Sequence, residues 1–432
     1  MSLKIMIEKE TFIYAPPINE ATNRWGVYAI PRMWKLPSGE LVVRFNGEQD
    51  CSDTKTMFVA ENLYFSSLDC GKTWSYIADG EKRYNIRVLQ GITSPYLQLK
   101  NGHFLAIQDK EFLFPIIGLS SEKSFPVPNQ DAIVSAYPYG MIPEKCKGID
   151  LIEYDENGNI LERTPVQFDF PEREILINVA ALSNGDYIPV EQNIKPFIFK
   201  SPYFSALTEL PDGTIAAVSY GQHPDVADHF CQEIYFVVSN DKGKTWKKRS
   251  TIASEALNLP YGYGGDGNEV SLTQTIDGTL LCAMRMDMSI DPNVATPICD
   301  VMVSASHDNG YTWETPTPVA DSSVTPQIIA LQNHIVVLIY GRPGVHFKVS
   351  EDDGKTWSKS YSIIGKTLEE ERASGRTDAE SKYFDTCSYS NCFVEQIDKD
   401  SILVLYNSMQ YPEDKTRHKA AYVKKITVKK SL

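Results

Sequence analysis

The chain has 432 residues, 42% hydrophobic and 11% aromatic, which is enough apolar material for a large core. Its formal net charge of −14 makes it a poor binder of polyanions, which argues against nucleic acid and anionic membrane surfaces and leaves only a local basic pocket open. The longest apolar runs, such as IVVLIY at 335–340, fall far short of the ~20 residues that span a bilayer, so no membrane insertion is expected.

The first residues, MSLKIMIEKE, carry neither a long apolar core nor a small-residue cleavage site, and a cytoplasmic location is the expectation. The eight cysteines are scattered without a C-x-x-C pair, and several, Cys282 among them, sit in strand-like runs. They read as buried reduced thiols, so neither a metal nor another cofactor is expected.

In chain order, the first element is an apolar strand, a Ser-Gly turn and a second apolar strand, YAIPRMWKLPSGELVVRFNG at 28–47, which reads as a β-hairpin. The box SSLDCGKTW follows at 66–74, and a second hairpin, SPYLQLKNGHFLAIQ, at 94–108. A longer interval comes next. It holds LIEYDENGNILE at 151–162, a degenerate box, and an extra hairpin, INVAALSNGDYIPVEQ, at 177–192. The third regular hairpin, SPYFSALTELPDGTIAAVSYG at 201–221, has its box SNDKGKTW at 239–246. The fourth pair is NEVSLTQTIDGTLLCAMRMD at 268–287 with SHDNGYTW at 306–313. The fifth is TPQIIALQNHIVVLIYGRPG at 325–344 with SEDDGKTW at 350–357. The sixth hairpin, YSNCFVEQIDKDSILVLYN at 389–407, has no box.

The usual step between hairpins is roughly 60 residues, the spacing of a four-stranded sheet plus its loops. The expectation is an all-β, six-bladed β-propeller with four-stranded antiparallel blades, one domain over 1–432 with an insertion near 110–200. KAAYVKKITV at 419–428 supplies the third strand of the last blade and KIMIEKETFIY at 4–14 closes it. A seventh blade built around Ile177 is the alternative.

Each box residue has a physical task. The Asp accepts turn N–H groups, the Gly provides a positive φ, and the Trp buries a large face against a neighbouring sheet. None is a nucleophile, so the boxes are architecture. In blades whose strands run up and down, the start of the first strand and the end of the second share one face, and the box turns lie on the other. Residues that carry chemistry are therefore sought at those two strand ends.

The boxes and hairpins together resemble the Asp-box repeats of sialidases, and the resemblance spans nearly the whole chain. It implies a retaining exo-glycosidase that releases a terminal acidic sugar, sialic acid or a relative, from a glycan or glycoconjugate. The Asn-Glu of GNEV and the Met-Arg of CAMRMD resemble the sialidase pair in which Glu269 activates the nucleophile and Arg285 binds the sugar carboxylate. Arg342 in IYGRPG matches a second carboxylate-binding arginine. Tyr389 in TCSYSN fills the nucleophile position. In NGEQDCSD, Asp53 resembles the general acid/base, with Asp50 as second choice.

The residue types suit that chemistry. A neutral phenol, unlike a carboxylate, does not repel an anionic sugar, and with an ordinary pKa of ~10 it needs a base such as Glu269. Asp53 protonates the leaving oxygen and later activates water. Two arginines clamp a carboxylate through paired N–H bonds.

The chain also departs from the family's pattern. The slot for the first triad arginine reads Tyr28-Ala29-Ile30-Pro31, and the glutamate that braces that arginine is replaced by Asn407. Both halves of one ion pair are absent together, which points to a changed subsite. Tyr28 remains a substrate contact in that slot, and Arg44, Arg24 or Arg87 is a candidate replacement charge. Two further readings follow: a glycosidase for a different sugar, and a glycan-binding propeller without catalysis. Each site residue also has a plain structural role open to it, such as a Glu269–Arg285 bridge or a tyrosine packing its strand. The run GQHPDVADHFCQE at 221–233 reads as a substrate-lining loop; its His223, Asp225, Asp228 and His229 lack diagnostic metal spacing.

Overall fold

A computed structural model describes residues 3–16, 27–36, 38–47, 61–80, 96–99, 101–109, 125–126, 134–137, 149–155, 159–168, 175–178, 205–222, 232–254, 263–288, 299–320, 324–341, 344–375, 392–408 and 420–430. These residues form six antiparallel blades. Blade 1 consists of Val27–Lys35, Leu41–Gly47, Glu61–Ser67 and Ser75–Ile77. Blade 2 consists of Tyr96–Gln98, Phe104–Asp109, Ile149–Tyr154 and Ile160–Pro165. Blade 3 is Ser205–Glu209, Ile215–Gln222, Gln232–Ser239 and Thr245–Ala253, with Gln167–Phe168 added in parallel at its outer edge. Blade 4 is Tyr263–Gln274, Leu280–Met288, Cys299–Ser306 and Thr317–Ala320. Blade 5 is Val324–Ala330, Val336–Gly341, Val345–Ser350 and Tyr361–Ile364.

Blade 6 joins the two ends of the chain. Cys392–Asp398 pairs with Ser401–Ser408, which pairs with Ala420–Lys430. Leu3–Ile7 and Thr11–Tyr14 then add one after the other along the outer edge of Ala420–Lys430. All six expected hairpins are present as strand pairs. The region around Ile177 departs from a seventh blade: Ile175–Asn178 pairs with Val134–Tyr137, which pairs with Phe125–Pro126, in a separate three-stranded sheet. The turn of the degenerate box joins the third and fourth strands of blade 2, where Asp155 Oδ1 accepts the Asn159 N–H at 2.8 Å.

The core follows from the period-2 alternation of each strand. One face of the second strand of blade 4 packs on blade 3 through Cys282, Met284 and Met286. The opposite face packs on blade 5 through Leu281 and Ala283. Similar clusters join blades 5 and 6 and blades 6 and 1.

The four boxes fold alike. In each, the Ser hydroxyl donates to the Asp carboxylate, at 2.7, 2.7, 2.9 and 2.8 Å for Asp69, Asp241, Asp308 and Asp352. The same hydroxyl accepts the Gly N–H, and the carboxylate accepts the N–H of the Thr four residues further on. Thr73 and Thr312 also donate their hydroxyls, and these bonds hold Asp69 and Asp308 down to about 2. The box glycines have φ of 81–88°, and each presses on the preceding blade. A Cβ on Gly310 would sit 2.1 Å from the Phe236 ring of blade 3, and one on Gly71 would sit 2.6 Å from Leu403 of blade 6. Glycine here meets a backbone and a packing demand at once.

Candidate active site

On the opposite face, the innermost strands bulge at the channel end. Between the pairs Asn268↔Arg285 and Ser271↔Ala283, two residues of blade 4 face one of its partner strand. Blade 5 repeats this between Val324↔Gly341 and Gln327↔Ile339. Such bulges re-aim side chains and are common beside functional sites. Here they put Glu269 at φ 45° and Thr325 at φ 49°. Neither is a glycine, and a β-branched residue at positive φ is a true outlier.

The two bulges meet. Arg285 Nη1 donates to Glu269 Oε2 at 3.2 Å, and the Thr325 backbone N–H donates to the same oxygen at 2.8 Å. Glu269 Oε1 has no hydrogen-bond partner among the described residues. The side chains are 13% and 23% exposed for Glu269 and Arg285, so the pair is partly shielded but reachable. Below it, Ser271 Oγ accepts the Ile328 N–H at 3.1 Å and Thr273 Oγ1 accepts the Ala330 N–H at 3.0 Å. Glu269 is thus the channel-end rung of a side-chain-to-backbone ladder that fastens blade 5 to blade 4.

Of the residues expected to form the site, Glu269 and Arg285 come together as described. Tyr389, Asp53, Asp50 and Arg342 lie outside the described residues, as do Arg24, Arg87 and most of the run at 221–233. Tyr28 and Ala29 lie in the innermost strand of blade 1. Arg44 is fully buried in blade 1, where it pairs across the ladder with Arg32, itself 1% exposed. Desolvation, and then the neighbouring Arg44 charge, pull the Arg32 guanidinium well below its ordinary value. Asn407 is 2% exposed on the second strand of blade 6. Among the described residues, no group of three or more His, Cys, Asp and Glu side chains is placed to hold a metal ion. No described helix is long and apolar enough to cross a membrane.

Sequence reasoning missed the Thr325 N–H as a ligand of Glu269. Backbone donors leave no residue signature, and the only hint is a β-branched residue before Pro326.

The repeat geometry places the chain in a class, and comparison with known proteins agrees. Residues 202–415 match the profile described as a BNR repeat-like domain. The chain folds as a six-bladed β-propeller, and its second half carries the BNR repeat-like match. The structure is similar to that of a protein of unknown function from Dyadobacter fermentans DSM 18053, at 18% identity and a TM-score of 0.60, over 98% of this chain and 99% of that one. It is also similar to an α-L-arabinofuranosidase from Fusarium graminearum, at 12% identity and a TM-score of 0.51, over 96% and 97% of the two chains. A Hadza microbial sialidase matches at 15% identity and a TM-score of 0.49, over 90% of this chain and 65% of that one. At these identities the likeness is one of fold. No curated protein matches the chain.

Proposed function

We propose that the protein is a retaining exo-glycosidase that removes a terminal acidic sugar, with Tyr389 as nucleophile. The observation that carries this reading is the Glu269 carboxylate. It is fixed through Oε2 by Arg285 and Thr325, with Oε1 left to accept a proton at the mouth of the channel. Glu269 takes the phenolic proton of Tyr389, and the phenolate oxygen bonds to the anomeric carbon as the glycosidic C–O bond breaks. Asp53 gives its proton to the departing oxygen. It then takes one from water, whose oxygen displaces the tyrosine and restores the starting configuration. Arg285 and Arg342 hold the sugar carboxylate, and Tyr28 borders its subsite; Arg44, fully buried in blade 1, does not reach it.

A second reading keeps this machinery and changes the sugar. It is favoured by the charge inventory at the slot: Ala29 and Asn407 carry no charge, and Arg285 is already paired with Glu269. A neutral or differently acidic sugar then fits.

Aryl glycosides test both readings. Tyr389→Phe is expected to remove hydrolysis of whichever aryl glycoside the protein cleaves; full activity in that variant would overturn the mechanism. Turnover confined to the aryl sialoside supports the acidic sugar, and turnover confined to neutral glycosides replaces it with the second reading. Saturable glycan binding without turnover on any member of the set would make the protein a glycan-binding propeller instead.

A further inference from the structure

The seam between blades 4 and 5 also holds a polar chamber, whose wall residue Tyr340 lies on the strand next to the bulge that carries Thr325. Its volume is about 330 Å³. At ~30 Å³ per water this is room for roughly ten waters, or for one sugar ring with a few. One wall is apolar and comes from the outermost strand of blade 4, through Pro318, Val319 and Ala320. The facing wall is polar and comes from blade 5. Tyr340 and His346 line it although they are only 4% and 2% exposed, and their ring centroids are 6.0 Å apart. The Tyr340 hydroxyl is 2.6 Å from Ser360 Oγ.

This wall is built with some constraint. Gly344, at φ 61°, allows the chain to turn beside His346; a Cβ there would lie 2.3 Å from the Ile364 carbonyl oxygen and 2.9 Å from His346 Nε2. The helix Leu368–Ala373 brings Glu369 to the mouth, anchored by a Thr367–Glu370 capping box.

Charge selects the ligand class. Asp300 and Glu369 border the chamber, and its one lysine, Lys348, donates to the Val319 carbonyl at 2.7 Å. The two carboxylates disfavour an anion, and the lysine offsets one of them, so little net charge is left to attract a cation. A neutral molecule with an apolar face and a ring of hydroxyls matches both walls. We propose that this chamber binds one neutral sugar ring. A glycan running outward along the seam from the channel would place a further ring there, yet binding in the chamber does not depend on catalysis by Tyr389.

The test is NMR of protein labelled with ¹³C in its histidine rings, with the His346 signal identified by its loss in His346→Gln. Methyl β-D-galactopyranoside, methyl α-L-arabinofuranoside and, as the anionic probe, N-acetylneuraminic acid are titrated separately. At least one neutral glycoside is expected to shift the His346 signal saturably, with the acid at least tenfold weaker. Val319→Phe, which fills the chamber, and Ser360→Leu, which removes a hydroxyl, should each weaken that response at least tenfold while the melting temperature shows a folded protein. The proposal is overturned if no neutral glycoside moves the signal, if the acid is the tightest of the three, or if the response is unchanged in both variants. Tyr389→Phe should bind as the parent does. A catalytic mechanism that fails while His346 still responds would leave this site standing.

Discussion

The two faces of the propeller solve the same backbone problem in opposite ways. In the boxes, left-handed backbone falls in pairs of residues inside turns. Cys70, Lys242, Asn309 and Asp353 have φ of 57–60°, and each is followed by a glycine. Every turn is closed by its own Ser, Asp and Thr, and the four copies repeat their bond lengths to within about 0.2 Å. On the channel face, positive φ falls on a glutamate and a threonine inside strands, where no glycine relieves it. The closing bond there runs between blades, 56 residues apart in sequence. One face is closed locally, and the other by long-range bonds between blades. Backbone cost is removed where the chain only needs to hold shape and is retained where a carboxylate has to be aimed.

Removing the aimed group should have the largest effect. Glu269→Gln keeps an oxygen for Arg285 and Thr325 but cannot take a proton, so a fall in kcat/KM of about 10³ is expected with the melting temperature little changed. A variant that melts much lower while keeping its rate would make Glu269 only a rung of the ladder. On the other face the effect should be on stability alone. Gly310→Ala combines a left-handed alanine, about 1–2 kcal/mol, with a methyl driven into the fully buried Phe236, for about 3 kcal/mol in total. Gly278→Ala is the control. It has φ 90° and open space around its Cβ, and should cost only about 1–2 kcal/mol. Equal losses in urea unfolding would show that the boxes do not press on their neighbours.

The same contrast decides what was legible in the sequence. Hairpins and boxes were readable because each is a contiguous signal: alternating apolar residues around Gly or Asn, or eight residues in fixed order. Even the closure of blade 6 by 4–14 followed from counting strands. The bulges were not readable, because GNEV and VTPQ carry no glycine or proline at the left-handed position itself. Arg44 was misplaced for a similar reason. It was read as a residue near a strand end, but the alternation that buries Val42 and Tyr64 also buries Arg44, on their side of the sheet. The extra hairpin at 177–192 suggested a blade, whereas the strand at Ile175–Asn178 takes its partner from upstream, at Val134–Tyr137. Partner choice across such a gap is not written in either segment.

Glu395 lies between the two faces, on the innermost strand of blade 6. Its residue keeps some accessible surface, but protein atoms surround the carboxyl. Desolvation pushes it up to about 8, opposed by the Lys35 charge from blade 1. An unfolded glutamate titrates near ~4.3, so the folded chain holds this proton more tightly. The associated stability is complete below that value and is lost as pH rises towards about 8. Glu395→Gln should therefore stabilise the protein by up to about 5 kcal/mol at pH 9 and by almost nothing at pH 4. Urea midpoints at the two pH values measure this, and a gain that does not depend on pH would place the effect in packing.

The smallest effect tests the comparison most directly. If Thr325 is held at positive φ by the blade seam, then glycine should outrank alanine there. Thr325→Ala and Thr325→Gly both discard the same buried side chain and keep the N–H that binds Glu269. They differ by one Cβ: alanine carries the left-handed penalty of about 1–2 kcal/mol and regains about 0.8 kcal/mol by burying its methyl, which favours Thr325→Gly by up to about 1 kcal/mol. Thr273, in the regular part of the neighbouring innermost strand, should show the reverse order. There glycine is weaker than alanine by about 0.5–1 kcal/mol through backbone entropy alone. The inversion between two threonines on facing strands is the signature of a strained position, whatever the absolute costs. Alanine equal to or above glycine at Thr325 would mean that the bulge relaxes to ordinary backbone, and the aimed carboxylate of Glu269 would lose the support that distinguishes this face from the boxes.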